Sequence, residues 1–125
     1  RQQGDTSEVH DELATGIATE VHHIFPKSQF PMIASYYENL ILLTSSQHRQ
    51  KAHPKGNTQV VDKDYQLTCL MAKSQTIEAS LNEGDNFYRK ESFVYVVNTG
   101  LTEHLDETIS FADIRKFLVA KYLEF

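Results

Sequence analysis

"ENLILLTSSQHRQKAHP", residues 38–54, joins a short apolar run directly to the start of a helix. Residues 40–43 are apolar and few enough to form a buried strand. The letters "TSSQ" place Thr44 three residues before Gln47, which is the spacing of a capping box, so a helix is predicted to begin at Ser45. Pro54 should end this helix, because the residue before a proline is pushed away from helical angles.

A second strand is predicted upstream, in "EVHHIFPKS", residues 20–28. Residues 20–24 are typical of a short strand, and residues 25–35 contain two prolines and should form a loop. Near its end this strand carries two adjacent histidines, His22 and His23. Neighbouring residues of a strand point to opposite sides, so these two side chains need not share one role.

The remaining sequence predicts helix, strand and helix. Asp62 caps a helix that runs to about residue 81, "SFVYVV" at 92–97 is typical of a strand stopped by residues 98–100, and Ser110 opens a last helix. The apolar stripes of both helices are assigned to packing. The fold class is α+β in one domain, with a polar lead-in over 1–19, a strand–loop–strand–helix unit over 20–57 and a C-terminal α+β extension over 58–125.

Composition restricts the class of protein. The chain has 125 residues, of which 40% are hydrophobic and 23% charged, as in a folded domain. Its single cysteine, Cys69, excludes an internal disulfide. No apolar run is long enough for a membrane span and no signal peptide is visible, so we expect a cytoplasmic protein. Because the sequence opens on Arg1, we also expect a piece of a longer chain.

Positive charge is concentrated in one segment, although the whole chain has a net charge of −5. Residues 21–57 carry one acidic side chain, Glu38, and four basic ones, namely Lys27, Arg49, Lys51 and Lys55. The same segment contains four of the six histidines. Local charge is what meets a phosphate group, so these four basic residues are candidate contacts to nucleic acid.

The ordered set "VHHIFPKS…YENLILLTSSQHRQKAH" resembles the ββα-metal motif of the HNH (His-Me finger) endonucleases, in the double-histidine form of the colicin DNases. The resemblance covers residues 20–53. It implies that His22 and His48 bind a divalent metal and that His23 is the general base. Asn39 either fixes the loop that aims His23 or reaches the metal through its carbonyl.

One position departs from that family. The double-histidine form usually has its last ligand four residues after the helix histidine, where this chain has Ala52. His53 comes one residue later, ~140° around a helix from His48. His53 is the third ligand if the helix unwinds before Pro54; otherwise water or phosphate fills an open position.

The chemistry of the residues is consistent with this resemblance. A histidine, whose ordinary pKa is about 6.5, is suited to take a proton from water, and a divalent metal relieves charge on a phosphate. The resemblance implies hydrolysis of DNA to a 5′ phosphate and a 3′ hydroxyl, with one divalent metal ion (Zn²⁺, Mn²⁺, Mg²⁺ or Ni²⁺), in a bacterial or phage restriction or mobile-element enzyme.

Two other functions stay open at this stage. The acidic net charge and the position of His53 favour a non-catalytic, zinc-stabilised module that binds nucleic acid or protein. Nothing in the residues excludes an RNA nuclease on the same scaffold. Double-stranded DNA is the expected partner. Further domains of a longer chain, or a second copy of this chain in a homodimer, are the other possible partners.

Overall fold

A computed structural model describes residues 6–11, 13–14, 16–48 and 62–125, and these residues form a mixed α and β structure. Two strands are followed by four helices: β1 (Ala18–His23), β2 (Leu40–Thr44), α1 (Ser45–Gln47), α2 (Lys63–Asn82), α3 (Lys90–Leu101) and α4 (Phe111–Tyr122). The loop between the strands contains two short 3-10 turns, Pro31–Ile33 and Tyr37–Asn39. The predicted α+β class is confirmed.

Strands form close to the two stretches where the sequence predicts them, 20–24 and 40–43, and they pair as an antiparallel ribbon. In its register His22 lies opposite Ile41, and His23 lies opposite Leu40, with an irregularity between Ala18 and Glu20. Ile41 is buried, which fixes one face of the ribbon against the core. The ribbon therefore has one inward face and one outward face.

The capping box at the start of α1 is present. The Gln47 N–H donates to Thr44 Oγ1 at 3.1 Å, and the Thr44 N–H donates to Gln47 Oε1 at 2.9 Å. His48 continues with helical backbone angles. The predicted helix end at Pro54 lies outside the described residues. Since β2 passes directly into α1, the helix start is held at a fixed distance from the ribbon.

Helices α2 and α4 form where the capping residues predict them. Asp62 accepts a hydrogen bond from the Tyr65 N–H, and Ser110 accepts one from the Asp113 N–H. The two helices pack against each other, and Ile77 of α2 and Ile114 of α4 are among their buried apolar residues. Within the described ranges, none of the helices combines the length and the apolar character needed to cross a bilayer.

The strand predicted at 92–97 is wrong, since this sequence forms the middle of α3. Short apolar runs do not distinguish a buried strand from a buried helix, and β-branched residues follow their surroundings. Gly100 does not stop the element; it lies within α3, where a Cβ would overlap the ring of Phe25. The described C-terminal part is therefore helix–helix–helix, which corrects both the predicted helix–strand–helix and the α+β extension of 58–125.

Residues 7–9 pack against the rest of the fold, although the sequence predicts only a polar lead-in over 1–19. Ser7 and Val9 are buried, and the Glu8 N–H donates to the Leu42 carbonyl at 3.0 Å. Glu8 also pairs with Lys73 of α2 at 2.9 Å. Residues 7–9 thus connect the outer edge of β2 to the helical layer.

Candidate metal and catalytic site

The structure brings His22 and His48 together between the ribbon and α1. His22 belongs to the inward face of β1 and is 2% exposed, and His48 follows α1 directly. Their ring centroids lie 5.2 Å apart, with the ring planes at 62°. Two residues predicted as ligands of one metal are therefore neighbours in space.

Glu20 contacts His48 of this pair and was not identified from the sequence. Its Oε1 lies 3.4 Å from Nδ1 of His48, and both side chains are partly exposed. A carboxylate on one imidazole nitrogen is a common way to orient a histidine that binds metal through its other nitrogen. The spacing offers a signal for it, since Glu20 is two residues from His22 and thus falls on the same face of the strand.

His23 lies on the outward face of β1, where it is half-buried. Its partner across the ribbon is Leu40. Strand alternation separates its side chain from that of His22 while keeping the two backbones adjacent. A partly accessible imidazole next to a buried one suits a proton acceptor beside a metal ligand.

Asn39 is fully buried, and its amide holds the loop that follows His23. Its Oδ1 accepts from the Phe25 N–H at 2.9 Å, and its Nδ2 donates to the carbonyls of Phe25 at 3.1 Å and Ile33 at 3.4 Å. The Asn39 carbonyl also accepts from the Ile24 N–H at 2.8 Å. These bonds correspond to the loop-fixing role, the first of the two that the sequence left open.

The donor set fits a divalent ion that tolerates nitrogen. Two imidazoles with an adjacent carboxylate are typical partners of Zn²⁺, Mn²⁺ or Ni²⁺. Among residues 6–48 and 62–125, apart from the positions not described, no three His, Cys, Asp or Glu side chains group closely enough to complete a site. His53, the predicted third ligand, lies outside the described residues.

Of the four basic residues predicted to contact phosphate, Lys27 is the one that lies among the described residues. Its side chain is exposed in the loop after β1. Arg49, Lys51 and Lys55 lie outside the described residues. The structure therefore places one of the four basic residues on the surface near the end of β1.

Comparisons with protein-family models, with curated proteins and with solved structures found no match to this chain.

Proposed function

We propose that this chain is a metal-dependent endonuclease domain of the HNH type that hydrolyses phosphodiester bonds of DNA. The observation that carries the proposal is the pairing of His22 with His48 across the ribbon and the helix start, at 5.2 Å between ring centroids. The order of strand, loop, strand and capped helix, which is the order expected for that motif, supports the proposal.

Each residue then has a separate task. His22 and His48 would hold the metal, and Glu20 would orient His48. The metal, when bound, supplies charge relief on the phosphate and helps the 3′ oxygen to leave. His23 accepts the proton of the attacking water at its imidazole, and Asn39 keeps the adjoining loop in place. The expected products are a 5′ phosphate and a 3′ hydroxyl.

Duplex DNA is the proposed partner, and a cytoplasmic restriction or mobile-element system of a bacterium or phage is the proposed setting. The charge of segment 21–57 supports a phosphate-bearing partner, because the segment contains four basic residues and a single acidic one. Lys27, on the surface after β1, is the described member of that set.

A plasmid cleavage assay tests the proposal. The purified chain should nick supercoiled DNA in the presence of at least one of Zn²⁺, Mn²⁺, Mg²⁺ or Ni²⁺, and a chelator should stop the reaction. His48→Ala should lower the rate by at least about 100-fold, because it removes a ligand. His104→Ala is the matched control, since His104 is an exposed histidine beyond α3.

Two results would overturn the assignment: no cleavage with any of the four metals, or His48→Ala cutting as fast as the wild type. The non-catalytic zinc module, which the net charge of −5 favours, predicts tight zinc binding without cleavage.

Ligation and polymerase extension of the nicks report the 5′ phosphate and 3′ hydroxyl. Parallel RNA substrates distinguish a ribonuclease.

A further inference from the structure

Gln47, the residue before His48, is fully buried and makes contacts well beyond its capping box. Its Nε2 donates to the Val9 carbonyl at 2.7 Å and to Asp11 Oδ1 at 2.9 Å. Ser7 donates its hydroxyl to Gln47 Oε1. One amide therefore connects the first turn of α1 to three residues of the segment before β1.

That segment is itself fixed to two other parts of the fold. Asp11 Oδ2 accepts from the Tyr65 hydroxyl of α2 at 3.1 Å. The Leu13 carbonyl accepts from the Thr44 hydroxyl at 2.7 Å, next to the start of α1. The connection thus runs from α2 through Asp11 to Gln47, and it ends one residue from His48.

We propose that Gln47 is a positioning residue for the metal site: its amide holds α1 against residues 7–11 and so sets where His48 presents its imidazole to His22. This inference rests on the proposed function. The described part of α1 is only Ser45–Gln47, and so short a helix turn is oriented by tertiary contacts more than by its own hydrogen bonds. Here those contacts converge on one buried side chain.

The amide is needed because it both donates and accepts. The Oε1 atom completes the capping box with Thr44, a task that a glutamate also performs. The Nε2 atom supplies the two bonds to Val9 and Asp11, which a carboxylate would turn into oxygen–oxygen contacts. Gln47→Glu therefore keeps the cap and the bond accepted from the Ser7 hydroxyl, and it breaks the two bonds to Val9 and Asp11.

The experiment compares Gln47→Glu with Asn98→Asp in the full chain. Asn98 makes the same two kinds of bond, donating to the Leu105 carbonyl and accepting from the Leu105 N–H, and it lies at the end of α3. Zn²⁺ affinity by calorimetry, thermal unfolding, and kcat and KM for plasmid DNA are measured for both. Calorimetry is done well below the melting temperature, where a purely structural loss leaves the affinity unchanged.

Gln47→Glu should weaken Zn²⁺ binding about 10- to 100-fold and lower kcat, with little change in KM for DNA. Asn98→Asp should leave the Zn²⁺ affinity, kcat and KM near those of the wild type. A new carboxylate near a cation raises its affinity by Coulomb attraction, so the added charge does not explain a loss. Adding Asp11→Asn to Gln47→Glu restores a donor and an acceptor between positions 11 and 47 and should recover part of the affinity.

The outcomes are distinct. If the wild type binds Zn²⁺ and cuts DNA, and Gln47→Glu does both equally well, the positioning role is wrong and the nuclease proposal stands. The positioning role is also wrong if Asn98→Asp loses Zn²⁺ affinity to the same extent, because the loss then reports general destabilisation. If the wild type neither binds Zn²⁺ nor cuts DNA, both proposals fail together.

Discussion

His22 and His23 are adjacent in the sequence but lie on opposite faces of β1. His22 is 2% exposed and contacts His48, whereas His23 is half-buried on the outward face beside Leu40. Two consecutive residues thus carry one buried imidazole and one partly accessible imidazole. If the two have different roles, substitutions should separate metal binding from proton transfer.

His23→Ala should abolish most cleavage while leaving metal affinity close to that of the wild type. A general base contributes roughly 100- to 10,000-fold to a rate and little to ground-state binding. Single-turnover cleavage of plasmid DNA and calorimetric Zn²⁺ titration measure the two effects separately. A mutant rate within about threefold of the wild type would show that His23 is not the base.

Asn39→Asp should destabilise the protein and slow cleavage, with a smaller effect on Zn²⁺ affinity. The new carboxylate keeps the bond from the Phe25 N–H but faces the Phe25 and Ile33 carbonyls without a donor. A buried group left in that state costs about 1–3 kcal/mol, and more when charged. Urea unfolding measures the loss. If Asn39 instead reaches the metal, Asn39→Asp should strengthen Zn²⁺ binding, since a carboxylate is the better ligand.

The sequence predicted those elements whose signals are local. The strand at β2 and the cap of α1 are set by residues 40–47, and the caps at Asp62 and Ser110 are equally local, so each appears where predicted. The run 92–97 carries no local signal that decides between strand and helix. Whether it forms a strand or a helix depends on its packing in the folded protein. In the helix that forms, the ring of Phe25 lies so close to position 100 that only a glycine fits there.

The candidate site was predictable in part for the same reason. The histidines and Asn39 follow from an ordered pattern along the chain. The contacts of Glu20 with His48, and of Gln47 with Val9 and Asp11, depend on how distant segments meet. Spacing along the chain does not contain that geometry, although strand alternation favours Glu20.

Gly100→Ala should destabilise the protein even though alanine is the better helix former. The helical preference favours alanine by about 1 kcal/mol. The new Cβ overlaps the ring of Phe25, which is 1% exposed and has little room to move, and overpacking of this kind costs about 1–3 kcal/mol. Urea unfolding of Gly100→Ala in the wild-type and Phe25→Leu backgrounds tests the cause. The penalty should shrink beside leucine, and a stabilised Gly100→Ala would contradict the close contact.

Lys73→Met should cost about 3–5 kcal/mol, because it leaves the buried Glu8 carboxylate without its charged partner. Lys73 is 1% exposed, and its Nζ lies 2.9 and 3.1 Å from the two oxygens of Glu8 and 3.1 Å from the Tyr88 hydroxyl. Adding Glu8→Gln should recover much of the loss. Lys121→Met, which breaks a more exposed pair with Glu103, should cost much less.

The Lys73 pair also gives a pH dependence with a definite sign. Burial lowers the pKa of Lys73 from its ordinary value of 10.5. Between the two pKa values the unfolded chain binds more protons than the folded one, so the contribution of Lys73 to stability rises with pH in that window. Urea unfolding across an alkaline pH series should show this slope in the wild type and a shallower one in Lys73→Met. Equal slopes would mean that Lys73 keeps its ordinary pKa in the folded protein.

DNA binding should depend on the basic segment 21–57 and should be weakly salt-dependent. Lys27→Glu, and the double variant Lys51→Glu with Lys55→Glu, should weaken binding to all duplex sequences alike, because such contacts position the backbone without reading bases. Lys116→Glu is the control for Lys27→Glu, since Lys116 of α4 is also an exposed lysine and lies outside the segment. It should change affinity little.

The salt dependence gives the size of that contact. Neutralisation of about three or four phosphates predicts a slope near −3 for the logarithm of affinity against the logarithm of salt concentration. Fluorescence anisotropy with a labelled duplex across a salt series measures the slope, and each charge reversal in the segment should make it shallower. A larger loss for Lys116→Glu than for Lys27→Glu or the double variant would place the nucleic acid on the C-terminal helices instead.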